Sequence, residues 1–77
     1  MAERIMREIE RYWCEDDDGQ EYIVVEYQHY LIIHPRGDSR QELAGLKECR
    51  LLDGRHVNVV GDGVFKILDT DTIIREA

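Results

Sequence analysis

Five side chains in this sequence are able to ligate a soft metal: His29, His34, His56, Cys14 and Cys49. Zinc sites are usually assembled from close pairs such as Cys-x₂-Cys or His-x₃-His, and no such pair occurs here. His29 and His34 lie five residues apart, which puts them on opposite faces of any strand that carries both. Cys14 and Cys49 are expected to point to opposite sides of a sheet. Hard-cation chemistry fares no better. The run Glu15-Asp16-Asp17-Asp18-Gly19 resembles a calcium loop, but the calcium-binding pattern needs alternating acids before the glycine and a glutamate at the twelfth place. Position 14, where an acid is needed before Asp16 and Asp18, is Cys, and the twelfth place counted from Asp16 is Tyr27. Asp69-Thr70-Asp71-Thr72 reads as a turn closed by side-chain hydrogen bonds. Nucleophilic catalysis requires an activated Ser, Cys or Thr near a base. Ser39 is the only serine, in a polar stretch, and Cys49 reads as a packed core thiol. Metal, cofactor and catalytic residues are therefore all expected to be none, and the chain is not expected to be an enzyme. The Arg36-Gly37-Asp38 tripeptide matches an adhesion motif that arises easily by chance.

The Gly61-Asp62-Gly63 run raises a sharper question, between a phosphate cradle and a hairpin corner. Phosphate loops feed a helix N-terminus, whose free amides bind the anion. Here Val64-Phe65-Lys66-Ile67-Leu68 follows, which is strand-like, and acids flank the run. The hairpin reading has a further consequence. Asp18-Gly19, Asp53-Gly54 and Asp62-Gly63 each separate strand-like runs, and a three-residue loop with Gly in the left-handed region fits all three. That loop sets Trp13 opposite Ile23, Arg11 opposite Val25, Ile9 opposite Tyr27, Cys49 opposite Val57, Val59 opposite Phe65 and Val57 opposite Ile67. Two-residue turns would instead oppose Cys49 to Asn58 and Asn58 to Ile67. The three glycines are expected at positive φ.

The elements that carry these corners are short β-branched and aromatic runs. The fold class expected is all-β: a small antiparallel meander of five to six strands, strongly twisted or curled into a partly closed barrel. One domain spans 1–77, with 1–6 frayed and 34–46 a long loop. The N-terminal run suits either period, since Ile5, Met6, Ile9, Tyr12 and Trp13 share a helical face; a strand from about Arg7 is preferred. In the loop, Ser39 three residues before Glu42 suggests a capping box and one helical turn ending at Gly45. The expected inner face holds Ile9, Trp13, Ile23, Val25, Tyr27, Cys49, Val57, Val59, Phe65 and Ile67, with Leu51 and Ile73 beside them.

The opposite face is then unusually apolar for a hairpin. Tyr12, Tyr22, Val24, Tyr30 and Ile32 line it. It either packs on the 34–46 loop or the terminal strand, or forms an interface, for which tyrosine is well suited. Function is not written in these residues, and the leading expectation is a non-enzymatic protein-interaction module, with a second copy of the chain among the candidate partners. Nucleic acid is the alternative: Arg36, Arg40, Lys47, Arg50, Arg55 and Lys66 would have to converge beside an aromatic platform. The net charge of −7 opposes it, because backbone affinity is electrostatic. The acids concentrate early, with a balance of −6 over residues 1–28 and −1 over 29–77. No stretch approaches the ~20 apolar residues of a membrane span, and the charged start lacks a secretory pattern. A cytoplasmic chain with reduced thiols is expected.

The segments Arg11–Gln28 and Leu51–Glu76 resemble small uncharacterised bacterial proteins. Trp13 in the first hairpin, the run Leu51 to Asn58, Phe65 to Ile67, and Thr70 or Thr72 carry the likeness. It implies a bacterial β domain and no particular activity.

Overall fold

A computed structural model describes residues 2–34 and 39–77. Six strands follow one another in chain order: β1 (Ala2–Glu15), β2 (Glu21–Ile33), β3 (Gln41–Leu51), β4 (His56–Gly61), β5 (Val64–Ile67) and β6 (Thr72–Glu76). Each pairs antiparallel with the next, and β6 returns to β1, so the sheet closes into a barrel. Closure is narrow. β6 meets β1 only at Cys14↔Glu76 and Glu15↔Arg75, and β3 meets β4 only at Cys49↔Val57 and Arg50↔His56.

The hairpin corners behave as glycine requires. Gly19, Gly54 and Gly63 have φ of 79°, 98° and 68°, a region that costs other residues steric strain. The pairings Trp13↔Ile23, Arg11↔Val25, Cys49↔Val57, Val57↔Ile67 and Val59↔Phe65 all occur. The pairing of Ile9 with Tyr27 does not. A bulge at Ile9 sets Glu8 opposite Tyr27 and Glu10 opposite Glu26.

The acidic first corner is a closed turn. Asp16 Oδ1 accepts the backbone N–H groups of Asp18 and Gln20, both at 2.9 Å, and Tyr22 donates its hydroxyl to Asp16 Oδ2 at 3.2 Å.

The first three strands are far longer than the barrel needs. Their outer halves, residues 2–8, 27–33 and 41–47, form a three-stranded arm with β2 in the middle. The molecule therefore measures 56 × 21 × 20 Å. Two expectations are corrected here. The N-terminus is strand from Ala2 onward rather than frayed to residue 6, and the region 34–46 is not all loop. β3 begins at Gln41, so Glu42 to Gly45 are extended and no helical turn ends at Gly45. A central strand with two open ladders outbids a single capping box, since every residue of β2 in the arm gains partners on both sides.

The core sits inside the barrel end and consists of Cys14, Val24, Cys49, Leu51, Val57, Phe65, Ile67 and Ile74, with Tyr12 and Tyr22 packed against it. This inverts the expected faces of the first hairpin. Trp13 is 62% exposed, and Ile9 and Val59 are also exposed, while Ile23 and Tyr27 are only half-buried. Val25 is buried, but on the outer side of the sheet between Arg11 and Arg50. Ile74, opposite Phe65, takes the core place expected of Ile73. The cysteines are corrected too, since both lie in the one core cluster. The cause is the width of the barrel. Six short strands enclose room for small side chains between larger ones, and Cys14 and Val24 beside Phe65 and Leu51 fill it where an indole would overpack it.

Candidate functional site

The residues expected to form an exposed tyrosine face lie mostly inside. Val24 and Ile32 are fully buried, Tyr12 and Tyr22 pack on the core, and Tyr30 is half-buried. As a surface, this set is therefore corrected: barrel closure covers its first three members. Tyr12 stacks on Phe65 at a centroid distance of 5.5 Å and donates its hydroxyl to Glu26 at 2.9 Å. That hydrogen bond to a carboxylate pushes the phenol up to about 12. Burial pushes the Cys14 thiol up to about 11 and raises Cys49 as well, so both thiols are held protonated and inert.

In the arm, the same face is closed by its own charges. Arg7 forms a bidentate pair with Glu42, both bonds at 3.0 Å, spanning β2 from one edge strand to the other. The guanidinium also lies over the Tyr30 ring, 4.9 Å from its centroid. The fork of Arg7 thus lies across the face that carries Tyr30 and buried Ile32, and the pair holds the Glu42 carboxyl below its ordinary range.

The other face of the arm is open and apolar. From the register, it carries Arg4, Met6, Glu8, Ile9, Arg11 and Trp13 from β1. β2 contributes Ile23, Val25, Tyr27, His29, Leu31 and Ile33; β3 contributes Leu43, Glu48 and Arg50. Leu46 joins them by a specific device. Gln28 pairs with Lys47 and Tyr30 with Ala44, which leaves both Gly45 and Leu46 opposite His29 in a bulge. Gln28, the one buried polar side chain among the described residues, holds this bulge. Its Nε2 donates to the carbonyls of Gly45 at 2.8 Å, His29 at 3.1 Å and Leu46 at 3.4 Å. Leu46 ends 82% exposed, and a groove of about 560 Å³ opens between it, Arg4, His29, Leu31 and Glu48. Met6, Ile9, Trp13 and Leu43 are exposed along the same face.

Charged groups on this face neutralise one another. Arg11 Nε lies 2.7 Å from Glu8, and Arg50 Nε 3.1 Å from Glu48, which also accepts from His29 Nε2. These donors hold Glu8 and Glu48 below the ordinary carboxylate range. His56 Nδ1 approaches the same Glu48 at 3.6 Å. No metal-binding cluster of three His, Cys, Asp or Glu forms among the described residues. Four of the basic residues proposed for nucleic acid are bound to acids, Arg40 to Glu42, Arg50 to Glu48, Arg55 to Asp53 and Asp69, and Lys66 to Asp71, while Lys47, opposite Gln28, makes no ion pair among the described residues. Arg36 and the Arg36-Gly37-Asp38 tripeptide lie outside the described residues.

The arm also has two open edges. Among the described residues, Ala2–Tyr12 of β1 and Gln41–Glu48 of β3 pair on one side only. Both edges carry a bulge, and β1 alternates charge along its length, features that blunt edge-to-edge pairing. The face, and not the edge, is the surface left to explain. Sequence reasoning missed it because Trp13 looks like core; Leu43 and Leu46, two exposed leucines in a stretch without Gly/Asp corners, were the available signal.

Comparison with protein-family models, curated proteins and solved structures found no match to this chain.

Proposed function

We propose that this chain is a non-enzymatic protein-interaction module that works through the open face of its arm. The observation that carries the reading is the asymmetry of the arm. One face is roofed by Arg7 and Glu42 and buries Ile32, while the other leaves Met6, Ile9, Trp13, Leu43 and Leu46 in solvent. The surface area agrees. A compact monomer of this mass, 9.1 kDa, exposes about 4,900 Å², and this chain exposes 5595 Å². The excess of roughly 700 Å² is close to what one partner contributes to a standard interface. Exposed large apolar side chains gathered on one face are a mark of contact surfaces.

The test is a paired substitution, Met6→Glu with Leu46→Glu. Neither side chain is in the core, so the circular dichroism spectrum and melting temperature should stay near those of the parent. Complexes recovered with the purified parent protein should be lost. Recovery of the same complexes with the variant would refute the reading.

A further inference from the structure

We infer that the occupant of the open face is a second copy of this chain, packed face to face with its strands antiparallel to the first. The inference rests on the interaction reading above and adds the partner and its register. Two sheets pack face to face with strand directions nearly aligned, so a two-fold axis between two copies has two choices. In one, the axis runs along the strands, and β1 of one copy covers β3 of the other. Glu8 would then face Glu48 of the second copy, and Arg11 would face Arg50, because Glu8 and Glu48 both flank Tyr27 and Arg11 and Arg50 both flank Val25. Two like-charge oppositions, each repeated by symmetry, disfavour that dimer.

In the other, the axis runs across the strands, and β1 covers β1. Centred at the level of His29, this arrangement sets Met6 on Met6 and Leu46 on Leu46 of the two copies. Arg4, at the level of Leu31, then meets Glu8, at the level of Tyr27, and the contact occurs twice. Leu31 meets Tyr27, and Leu43 crosses toward Glu48. No like charges on β1 or β3 are opposed. The face is thus self-complementary in one orientation only, as an isologous interface must be.

The size of the face sets the strength. Three strands about 4.8 Å apart and some nine residues long give a flat footprint of about 30 by 14 Å per copy. With side-chain relief the pair falls near the lower bound of specific interfaces, about 1,200 Å² in total, so dissociation in the micromolar range is expected.

The experiment is sedimentation equilibrium and native mass spectrometry of the full chain at roughly 100 μM, far above a micromolar Kd. The parent should be a dimer and Leu46→Glu a monomer. Arg4→Glu and Glu8→Arg should each weaken the dimer by about tenfold, since each places like charges together at both symmetric contacts. Mixed in equal amounts, the two variants should form a heterodimer, because both of its contacts then pair opposite charges. A purely structural effect of Glu8, through its bond to Arg11, would not be rescued by mixing. A monomeric parent at this concentration overturns self-pairing and leaves the face free for another protein, which the double variant of the preceding section tests separately. A dimer indifferent to Leu46→Glu pairs through another surface and overturns self-pairing across this face. A dimer that Leu46→Glu breaks but mixing does not restore overturns the antiparallel register.

Discussion

Gln28 is the residue on which the shape of the open face depends, and its replacement by methionine gives a measurable consequence. Methionine keeps the length and apolar stem of glutamine but removes the Nε2 donor. Three carbonyls then lose a partner, the nearest being Gly45 at 2.8 Å. A buried acceptor left without a donor costs about 1–3 kcal/mol. Gly45 and Leu46 lie in an exposed stretch of an edge strand, so water recovers part of this. The lower half of the range follows, about 1–1.5 kcal/mol, or a fall in melting temperature of roughly 4–12 °C for a chain of this size. The effect should be local as well. Hydrogen exchange should quicken at β2 and β3 amides of the arm, while amides of the barrel core follow the global change. If thermal unfolding of Gln28→Met coincides with the parent and arm exchange is unaltered, the bulge is held by the ladder alone, and the account of how Leu46 reaches the surface is wrong.

Three other perturbations follow from the barrel. Ile74→Ala, in a fully buried side chain on the strand that closes the sheet through two pairs, should cost about 2–5 kcal/mol by urea titration; a cost below ~1 kcal/mol would mean that β6 is dispensable. Gly63→Ala should destabilise more than Gly19→Ala, because both hold positive φ but only at Gly63 would the new Cβ meet another group, Glu76 Oε2 at 3.3 Å; about 1 kcal/mol each is expected from backbone strain, with a further increment at Gly63 read from chemical denaturation. Cys14 titrates at about 11 in the fold against 9.0 unperturbed. A raised folded pKa favours the fold below the unfolded value and is lost as pH rises through the folded one. Stability should therefore decline between about pH 9 and 11, and Cys14→Ala should flatten that decline; an unchanged alkaline limb would assign it to other groups such as Tyr12.

The strand pairing was legible because a glycine corner carries its own register. Asp-Gly at three places, with apolar residues at matched distances on either side, leaves one loop length that pairs like with like. That logic fixes which residues share a face. It is silent on which face turns inward, because Trp13, Ile23 and Val25 on one side and Tyr12, Tyr22 and Val24 on the other are equally apolar. Only closure decides, and closure depends on β6, whose Ile74, together with Phe65 of β5, supplies the opposite wall for Cys14 and Val24. A long-range pairing of two residue pairs leaves no periodic mark in the sequence.

The bulges show the same limit from the other side. Ile9, and Gly45 with Leu46, each insert an extra residue into an edge strand on either side of Tyr27 to Tyr30. Bulges raise local twist and bend the strand, and here they fall where the sheet stops curling into a barrel and runs on as an arm. Each also changes which side chains share a face. Were Ile9 paired in a regular ladder, Met6 and Glu8 would lie on the roofed face and Arg7 on the open one, and the Arg7–Glu42 ion pair would be lost. Deleting Ile9 removes only the extra residue, so Glu8 stays opposite Tyr27 and Arg7 opposite Gln28. The deletion should therefore straighten the strand while leaving both faces of β1 and the barrel corners as they are. Cysteine accessibility at position 6, probed in Met6→Cys with and without the deletion, should be equal. Loss of labelling in the deletion variant would mean that β1 slips by one residue and that the bulge at Ile9 does not set its faces.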